Sequence, residues 1–548
     1  MRAPALTPHV LMPDRSEFDF IVVGAGSAGC VLASRLSAPG RHSVLLLEAG
    51  GEDDDRWIHI PLGYGKHFSN PKVNWLFRSE PDEKTGSRAI LQPRGKVLGG
   101  TSSINGTVYV RGQRDDYDDW RALGNEGWGY ADVLPYFRKA EDNQRWVNEY
   151  HGNGGPLAVS DAADSHPLCE AFLDAAEACG YPRNPDCNGA QQVGFGYNQV
   201  TQRKGRRCST AVGYLRPARQ RPNLSVATNA HATRVLFSGK RATGIEYLQG
   251  GTKQTAHARG EVILSGGAFG SPQLMQLSGL GPAAHLQSLG IPVVADMPGV
   301  GANLQDHYNG RLVFECTEAC TLNDVVASPL KKLREGLRYY LTHKGFLTLA
   351  ASTATGFVAT DCSARPDVQI GIVLYSTDKM GDVLHTFPGF TLLVRLLRPE
   401  SRGTVMAKSA DPLVAPAIRP NYLSAPKDCD ILVAGMKITQ RMVDTEPLRR
   451  YAVRAHEPER APANDDEWVN YLRTRGGISY HPVGTCRMGS DAGAVVDPRL
   501  RVRGIGGLRV VDASIMPTLV SGNTNAPTIM IGEKGADMIL EDVRREGG

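Results

Sequence analysis

The chain has 548 residues, 41% hydrophobic and 22% charged, and its 61 basic and 57 acidic side chains leave a net charge of +4. That balance excludes a protein that grips nucleic acid by bulk charge, and the length allows two or more domains around sizeable cores. No apolar run reaches the roughly 18 residues of a membrane-spanning helix.

The first 18 residues hold three prolines and no apolar stretch of signal-peptide length, so 1–17 read as a disordered leader and the chain as cytoplasmic. No basic amphipathic helix stands out, and a peripheral membrane contact stays open. The ten cysteines are scattered, with Cys316 and Cys320 the only close pair, and read as reduced thiols with no metal site.

The next stretch, DFIVVGAGSAG over 19–29, is the most informative of the chain. Its apolar run 20–23 is a short buried parallel strand in prospect. Gly24 allows a tight turn, Gly26 lets the backbone approach a pyrophosphate, and Gly29 lets a helix pack closely on the strand. A helix expected over 28–36, entered at Ser27 and Ala28, would point its amide end at the phosphates. A second buried strand is expected over 43–47, followed by Glu48 and Ala49. Glu48 lies 24 positions after Gly24, where a carboxylate takes a ribose 2′-hydroxyl and repels a 2′-phosphate. NADP is thereby disfavoured, but the motif does not separate NAD from FAD.

Further along, 224–306 again has α/β character, with a strand over 261–265 running into Gly266 and Gly267. The stretch 311–475 differs: alternating runs at 390–395 and 403–407, a helix at 330–342 and many prolines fit antiparallel strands with helices on one face. The final part returns to a strand over 508–512 and a helix over 528–540 entered through Pro527. The expected fold is α/β. A Rossmann-like nucleotide-binding domain is built from discontinuous segments (18–158, 205–312 and 476–548), beside an α+β substrate domain with an antiparallel sheet (159–204 and 313–475).

Two further blocks, GKVLGGTSSING at 95–106 and GAFGSPQLMQLSGLG at 267–281, resemble the signature patterns of the glucose–methanol–choline (GMC) oxidoreductases, a family of FAD enzymes. GWGYADVLPYF at 127–137, HGNGGP at 151–156, NLQDH at 303–307 and LRPESRG at 397–403 look like the same family, and the resemblance spans about 18–540. The nearest likeness is to the choline dehydrogenase and bacterial alcohol dehydrogenase branch. Physically, Gly99 and Gly100 offer backbone amides and Ser102 a hydroxyl, a second cradle for the pyrophosphate. The resemblance further implies that Asn105 and Gly106 lie beside the reactive edge of the flavin. Val235 would be on the strand touching the adenine, with Asp512 and Ala513 near the ribityl and pyrophosphate. Arg94, Val97, Val108, Ala268, Asn523, Pro527 and Thr528 complete the implied cofactor contacts. Some relatives attach the flavin covalently through a histidine where this chain has Ile104, so non-covalent FAD is expected.

YHPVGTCRMG at 480–489 resembles the family's catalytic-base segment, and GNTNAPT at 522–528 the segment of its partner. The family's second active-site residue, His or Asn, stands about 44 positions after the histidine; here that residue is Asn525, 44 after His481. Alcohol oxidation needs a base for a weakly acidic hydroxyl, and an imidazole of ordinary pKa about 6.5 suits it. Asn525 would donate to the developing alkoxide, and the helix near Pro527 would turn its positive end to the flavin. His307 reads as structural, and His343 and His385 as possible pocket residues without support. The resulting expectation is FAD-dependent oxidation of a primary alcohol to an aldehyde, with electrons passing to a quinone or similar external acceptor. Choline dehydrogenase, a peroxide-forming alcohol oxidase and, remotely, a hydroxynitrile lyase are the alternatives. Tyr339, Tyr340, Phe346 and Phe357 are the aromatics on offer for a choline cage, and read more readily as core.

Overall fold

The structure, a computed structural model, describes residues 16–379 and 381–546; all but Ser16 and Glu17 of the expected leader lie outside the described residues. Glu17 itself already belongs to the strand Glu17–Val23, whose last four residues are fully enclosed, as the apolar run requires. This strand lies between Val44–Leu47 and the 13-residue strand Thr252–Leu264, both parallel to it. Leu224–Ala227 pairs beyond Val44–Leu47, and Leu508–Val510 pairs on the other side of Thr252–Leu264. Val23, Leu47, Ala227, Leu264 and Val510 pair in one continuous register. The carboxyl ends of five parallel strands therefore finish at one level, where ligands of open α/β sheets bind. A hairpin, Ala230–Ser238 and Arg241–Gln249, extends the sheet antiparallel.

The glycine motif turns directly into the helix Ser27–Ser37. Gly24 holds φ at +101°, and a Cβ on Gly29 would lie 1.8 Å from the Gly24 carbonyl oxygen, so neither position tolerates a side chain. The helix packs along Asn525–Glu546, which starts three residues earlier and ends later than expected from sequence. Between them Arg35 donates twice to Glu533, at 2.8 and 2.7 Å, and Tyr214 and Lys139 close on the same buried carboxylate. Glu533 is thus fully paired, which offsets the cost of burying its charge.

The second sheet is antiparallel, in the order Ala452–Glu457, Tyr308–Cys316, Gly389–Leu396, Val368–Val373, Ala354–Val358 and Gly194–Tyr197. Period-two alternation divides it into two faces. Leu312, Phe314, Phe390, Leu392, Val394, Ile370 and Ile372 face a core with the helices Pro426–Val443 and Pro167–Ala178. Arg311, Thr391, Leu393, Arg395, Gln369 and Val373 face the cavity described below. The expected fold class is the observed one. The boundary drawn at 312 is corrected: it cuts Tyr308–Cys316, whose ladder is continuous from Asn309 to Glu315, and Gly477–Ile478 also pairs into this sheet. All ten cysteines are free. Among the described residues no helix is long and apolar enough to cross a membrane.

Gly29→Ala forces a methyl into a backbone oxygen, whereas a Cβ at Gly26 meets nothing within 4 Å. Overpacking of this kind costs about 1–3 kcal/mol. In thermal unfolding of the apoprotein, Gly29→Ala is expected to lower the midpoint and Gly26→Ala to leave it in place. Equal midpoints would contradict the close-packing role of Gly29.

Candidate active site

A cavity of about 1260 Å³ runs from the carboxyl ends of the parallel strands to the exposed face of the antiparallel sheet. Of the residues singled out in the sequence, Gly24, Gly26, Ser27, Ala28, Glu48, Ala49, Arg94, Gly100, Asn105, Gly106, Val108, Ala268, Asp512, Ala513, Asn523, Asn525, Thr528 and His481 line it. Gly29, Val97, Gly99, Ser102, Val235 and Pro527 do not. Gly29 and Gly99 shape the turns behind the wall, Val97 packs with Ile58, Val73 and Ile104, and the Val235 amide donates to Ser278. The Ser102 hydroxyl is turned inward onto the Gly99 carbonyl and Thr210, so it knits the loop together and is not part of an anion cradle.

The strand end of the cavity fits a dinucleotide. The helix Ser27–Ser37 begins at Gly26 with no side-chain cap and no acid in its first turn, leaving its positive amide end open to an anion. Gly26 has open space where a Cβ would be, and Gly100 comes so close to it that a Cβ would sit 2.6 Å from the Gly26 Cα. Glu48 is buried and accepts from the amides of Ala25 and Gly50 at 2.9 and 2.8 Å, one per oxygen. Burial pushes its carboxyl up to about 7, and each oxygen keeps a lone pair for a further donor such as a ribose hydroxyl. Asp512 accepts from the Gly267 amide and the Ser271 hydroxyl, fixing a second turn beside the first.

At the far end three chain segments meet. Gln305 and Val483 exchange backbone hydrogen bonds of 3.1 and 2.9 Å, which sets the segment before His307 against the segment after His481. Tyr480 holds a left-handed φ of 63°, a strain of about 1–3 kcal/mol for a bulky residue. Arg94 grips its carbonyl, and Phe68 meets its ring edge-on at 5.3 Å. One carboxylate oxygen of Asp306 accepts from the backbone amides of both His307 and His481, at 2.8 and 2.7 Å, while Tyr422 donates to the other. Burial raises this carboxyl to about 6.

The imidazoles are consequently fixed in tautomer as well as position. His307 Nε2 lies 2.9 Å from the Leu397 carbonyl, which only accepts, so Nε2 carries the hydrogen. Burial and then the Arg395 charge push His307 down to about 3, so its Nδ1 is a bare acceptor. His481 Nδ1, 2.9 Å away, must donate to it. His481 Nε2 is then unprotonated, and at 3.1 Å it receives an N–H of Asn523. Burial, and after it Arg395, His307 and Arg94, holds the His481 pKa well below its usual value. The result is a neutral imidazole with its lone pair aimed along the cavity wall.

Two sequence expectations change here. The partner placed against His481 is Asn523; Asn525 accepts instead from the Ser27 hydroxyl at 2.8 Å, tying the first helix to the last. The reason is direction: Asn523 precedes the helix and Asn525 is its first residue. His307, read as structural, is in contact with His481. His343 ends the helix Pro329–Thr342, and His385 bonds Ser376 and Asp378; neither lines the cavity, nor do Tyr339, Tyr340, Phe346 and Phe357. Asp378, His385 and His456 bring candidate ligand atoms within 4.8 Å of one another; His385 already bonds Asp378, and His456 meets the His385 ring edge-on at 4.5 Å. Sequence reasoning missed Arg207, which holds the Asn105 side-chain oxygen at 2.7 Å, and Arg395, which donates to Ser479 and Gln369. A charged residue alternating with Phe390, Leu392 and Val394 was the available signal for Arg395.

The GMC oxidoreductase family profile matches residues 18–309 with its N-terminal part and 399–532 with its C-terminal part. The alcohol dehydrogenase (acceptor) of Pseudomonas putida is 44% identical over 96% of this chain and 96% of its own. Human mitochondrial choline dehydrogenase is 43% identical over 96% of this chain and 90% of its own. Among solved structures, pyridoxine 4-oxidase from Mesorbium loti superposes with a TM-score of 0.86 at 29% identity, covering 95% of this chain and 98% of that one.

Histidine labelled with nitrogen-15 should show His481 as the Nδ1-protonated and His307 as the Nε2-protonated neutral tautomer at about pH 6.5, where an ordinary imidazole is half protonated. Because Arg395 adds to burial in opposing charge on His481, Arg395→Gln is expected to raise the His481 pKa. A cationic His481 signal at pH 6 in the wild type would refute this assignment.

Proposed function

As the chain belongs to the GMC oxidoreductase family, we propose that it is an FAD-dependent alcohol dehydrogenase that oxidises a neutral primary alcohol to an aldehyde and passes the electrons to an external acceptor such as a quinone. The observation that carries this reading is the unprotonated His481 Nε2 beside Asn523 in the cavity wall. FAD, when bound, would supply the two-electron acceptor for the alcohol's hydride. Gly24, Gly26, Ser27, Glu48 and Gly100 would hold its adenosine and diphosphate, with Asn105 and Gly106 nearer the flavin. With Ile104 packed against Ile58, Val73 and Val97 in place of a nucleophile, the cofactor is held without a covalent bond.

The chain's own residues handle the proton. His481 Nε2 takes the alcohol hydroxyl proton while its Nδ1–H stays on His307, so the ring need not turn. Asn523 donates to Nε2 in the resting site and has a second N–H for the alcohol oxygen. The imidazolium formed stands near Arg395 and Arg94, whose charges favour prompt release of its proton.

The same cations argue against choline. Burial lowers the Arg395 guanidinium to about 10, and among the described residues no carboxylate forms an ion pair with it. Asp306, the nearest charge acting on it, is spent on Tyr422 and two backbone amides. A quaternary ammonium beside such a group meets like charge that an uncharged alcohol does not, and this charge, not the aromatic lining of Tyr64, Phe68 and Tyr375, separates the two substrates.

Anaerobic mixing with benzyl, medium-chain and choline alcohols tests the proposal through loss of flavin absorbance. Benzyl alcohol is expected to exceed choline at least about tenfold in kcat/KM, His481→Gln to lower kcat by about 10²–10⁴, and Asn523→Ala to lower it far more than Asn525→Ala. No bleaching by any alcohol would end the proposal, and a preference for choline would reverse the substrate ranking. Acid precipitation should separately leave a white pellet and a yellow supernatant; flavin retained in the pellet would show a covalent link.

A further inference from the structure

We propose that the helix Pro329–Thr342 is a docking surface that lies flat in the headgroup region of an anionic lipid bilayer. None of its residues is buried, and Leu330, Leu333, Leu337, Tyr340 and Leu341 are 76%, 70%, 56%, 80% and 70% exposed. At 3.6 residues per turn these five fall within about 100° of one face. The opposite side faces the protein: Tyr339 donates to the Gly205 carbonyl at 3.2 Å, and Glu335 accepts from the Phe346 amide. A surface helix ordinarily turns its apolar stripe to the core; this one turns it outward. Isolated exposed leucines need no explanation, but six of the 14 large exposed hydrophobic side chains fall in 326–341.

The occupant follows from charge. Lys331, Lys332, Arg334 and Lys344 are exposed, as are Lys204 and Arg206 on the turn beneath. By helical rotation Arg334 borders the apolar stripe, and Lys331 and Lys332 lie about 80° beyond its two edges. Among the described residues none of the six has an ion-pair partner. The neighbouring acids, Glu335 and Asp164, are both engaged by Arg338. A second copy docked by symmetry would set these cations against their own kind, whereas anionic headgroups neutralise them as acyl chains receive the leucines. The expectation that no basic amphipathic helix stands out is thereby corrected. The helix leads through the turn Phe346–Thr348 to Ala351 and Ser352, which line the cavity, so the docked face adjoins the reaction chamber.

The test sediments the full-length holoenzyme with vesicles of phosphatidylcholine alone or mixed with phosphatidylglycerol. The wild type is expected to pellet with the mixed vesicles and to be released by salt. Leu333→Glu with Leu337→Glu should cut this partition on the order of tenfold and leave turnover with a soluble dye unchanged. Equal partition of variant and wild type, or no partition, would overturn the proposal. So would a concentration-dependent dimer that the double variant abolishes, since a second copy would then cover the face.

Discussion

A carbonyl oxygen cannot donate a hydrogen bond, and the protonation of this active site descends from that fact at Leu397. The Leu397 oxygen holds the hydrogen of His307 on Nε2, His307 therefore accepts at Nδ1, and His481 is left with its lone pair on Nε2. Asp306 supports the arrangement from the backbone side, where one oxygen receives two successive amide bonds from the two histidine segments. The His481 tautomer is thus set by an acceptor 84 positions earlier in the chain. Arg395 and Arg94 then remove the remaining freedom by making the charged imidazole costly at rest.

The two sheets have unequal tasks. The parallel sheet brings five strand ends and an uncapped helix start to one level, which is a general anion site and says little about the reaction. The antiparallel sheet gives its solvent-averse face to a core and its polar face to the cavity, so each strand contributes every second residue to the substrate end. The odd positions 309, 311, 391, 393 and 395 therefore line that end of the cavity, two of them as arginines.

Much of this was legible in the sequence, because some residues have only one physical use. Gly24 and Gly29 meet backbone atoms at distances no side chain survives, and the apolar runs beside them have the length of buried parallel strands. What spacing could not convey was orientation. Counting 44 positions from His481 leads to Asn525, yet a two-residue offset at a helix entrance swings a side chain to another wall, and Asn523 reaches the imidazole. His307 was read as structural because its bond to the Leu397 carbonyl, which turns its Nδ1 toward His481, leaves no trace in residue types. The helix Pro329–Thr342 was legible as a helix but not as an inverted one, since a hydrophobic stripe in sequence does not say which side the fold covers.

The hydrogen bond from Ser27 to Asn525 joins residues 498 positions apart. At about 5–20 residues per second of synthesis, the glycine loop leaves the ribosome some 25–100 s before its partner exists. The first and last helices lock together only then, through Arg35 and Glu533 as well. The first element of the nucleotide cleft to be made is therefore completed only once residues 525–533 have been added.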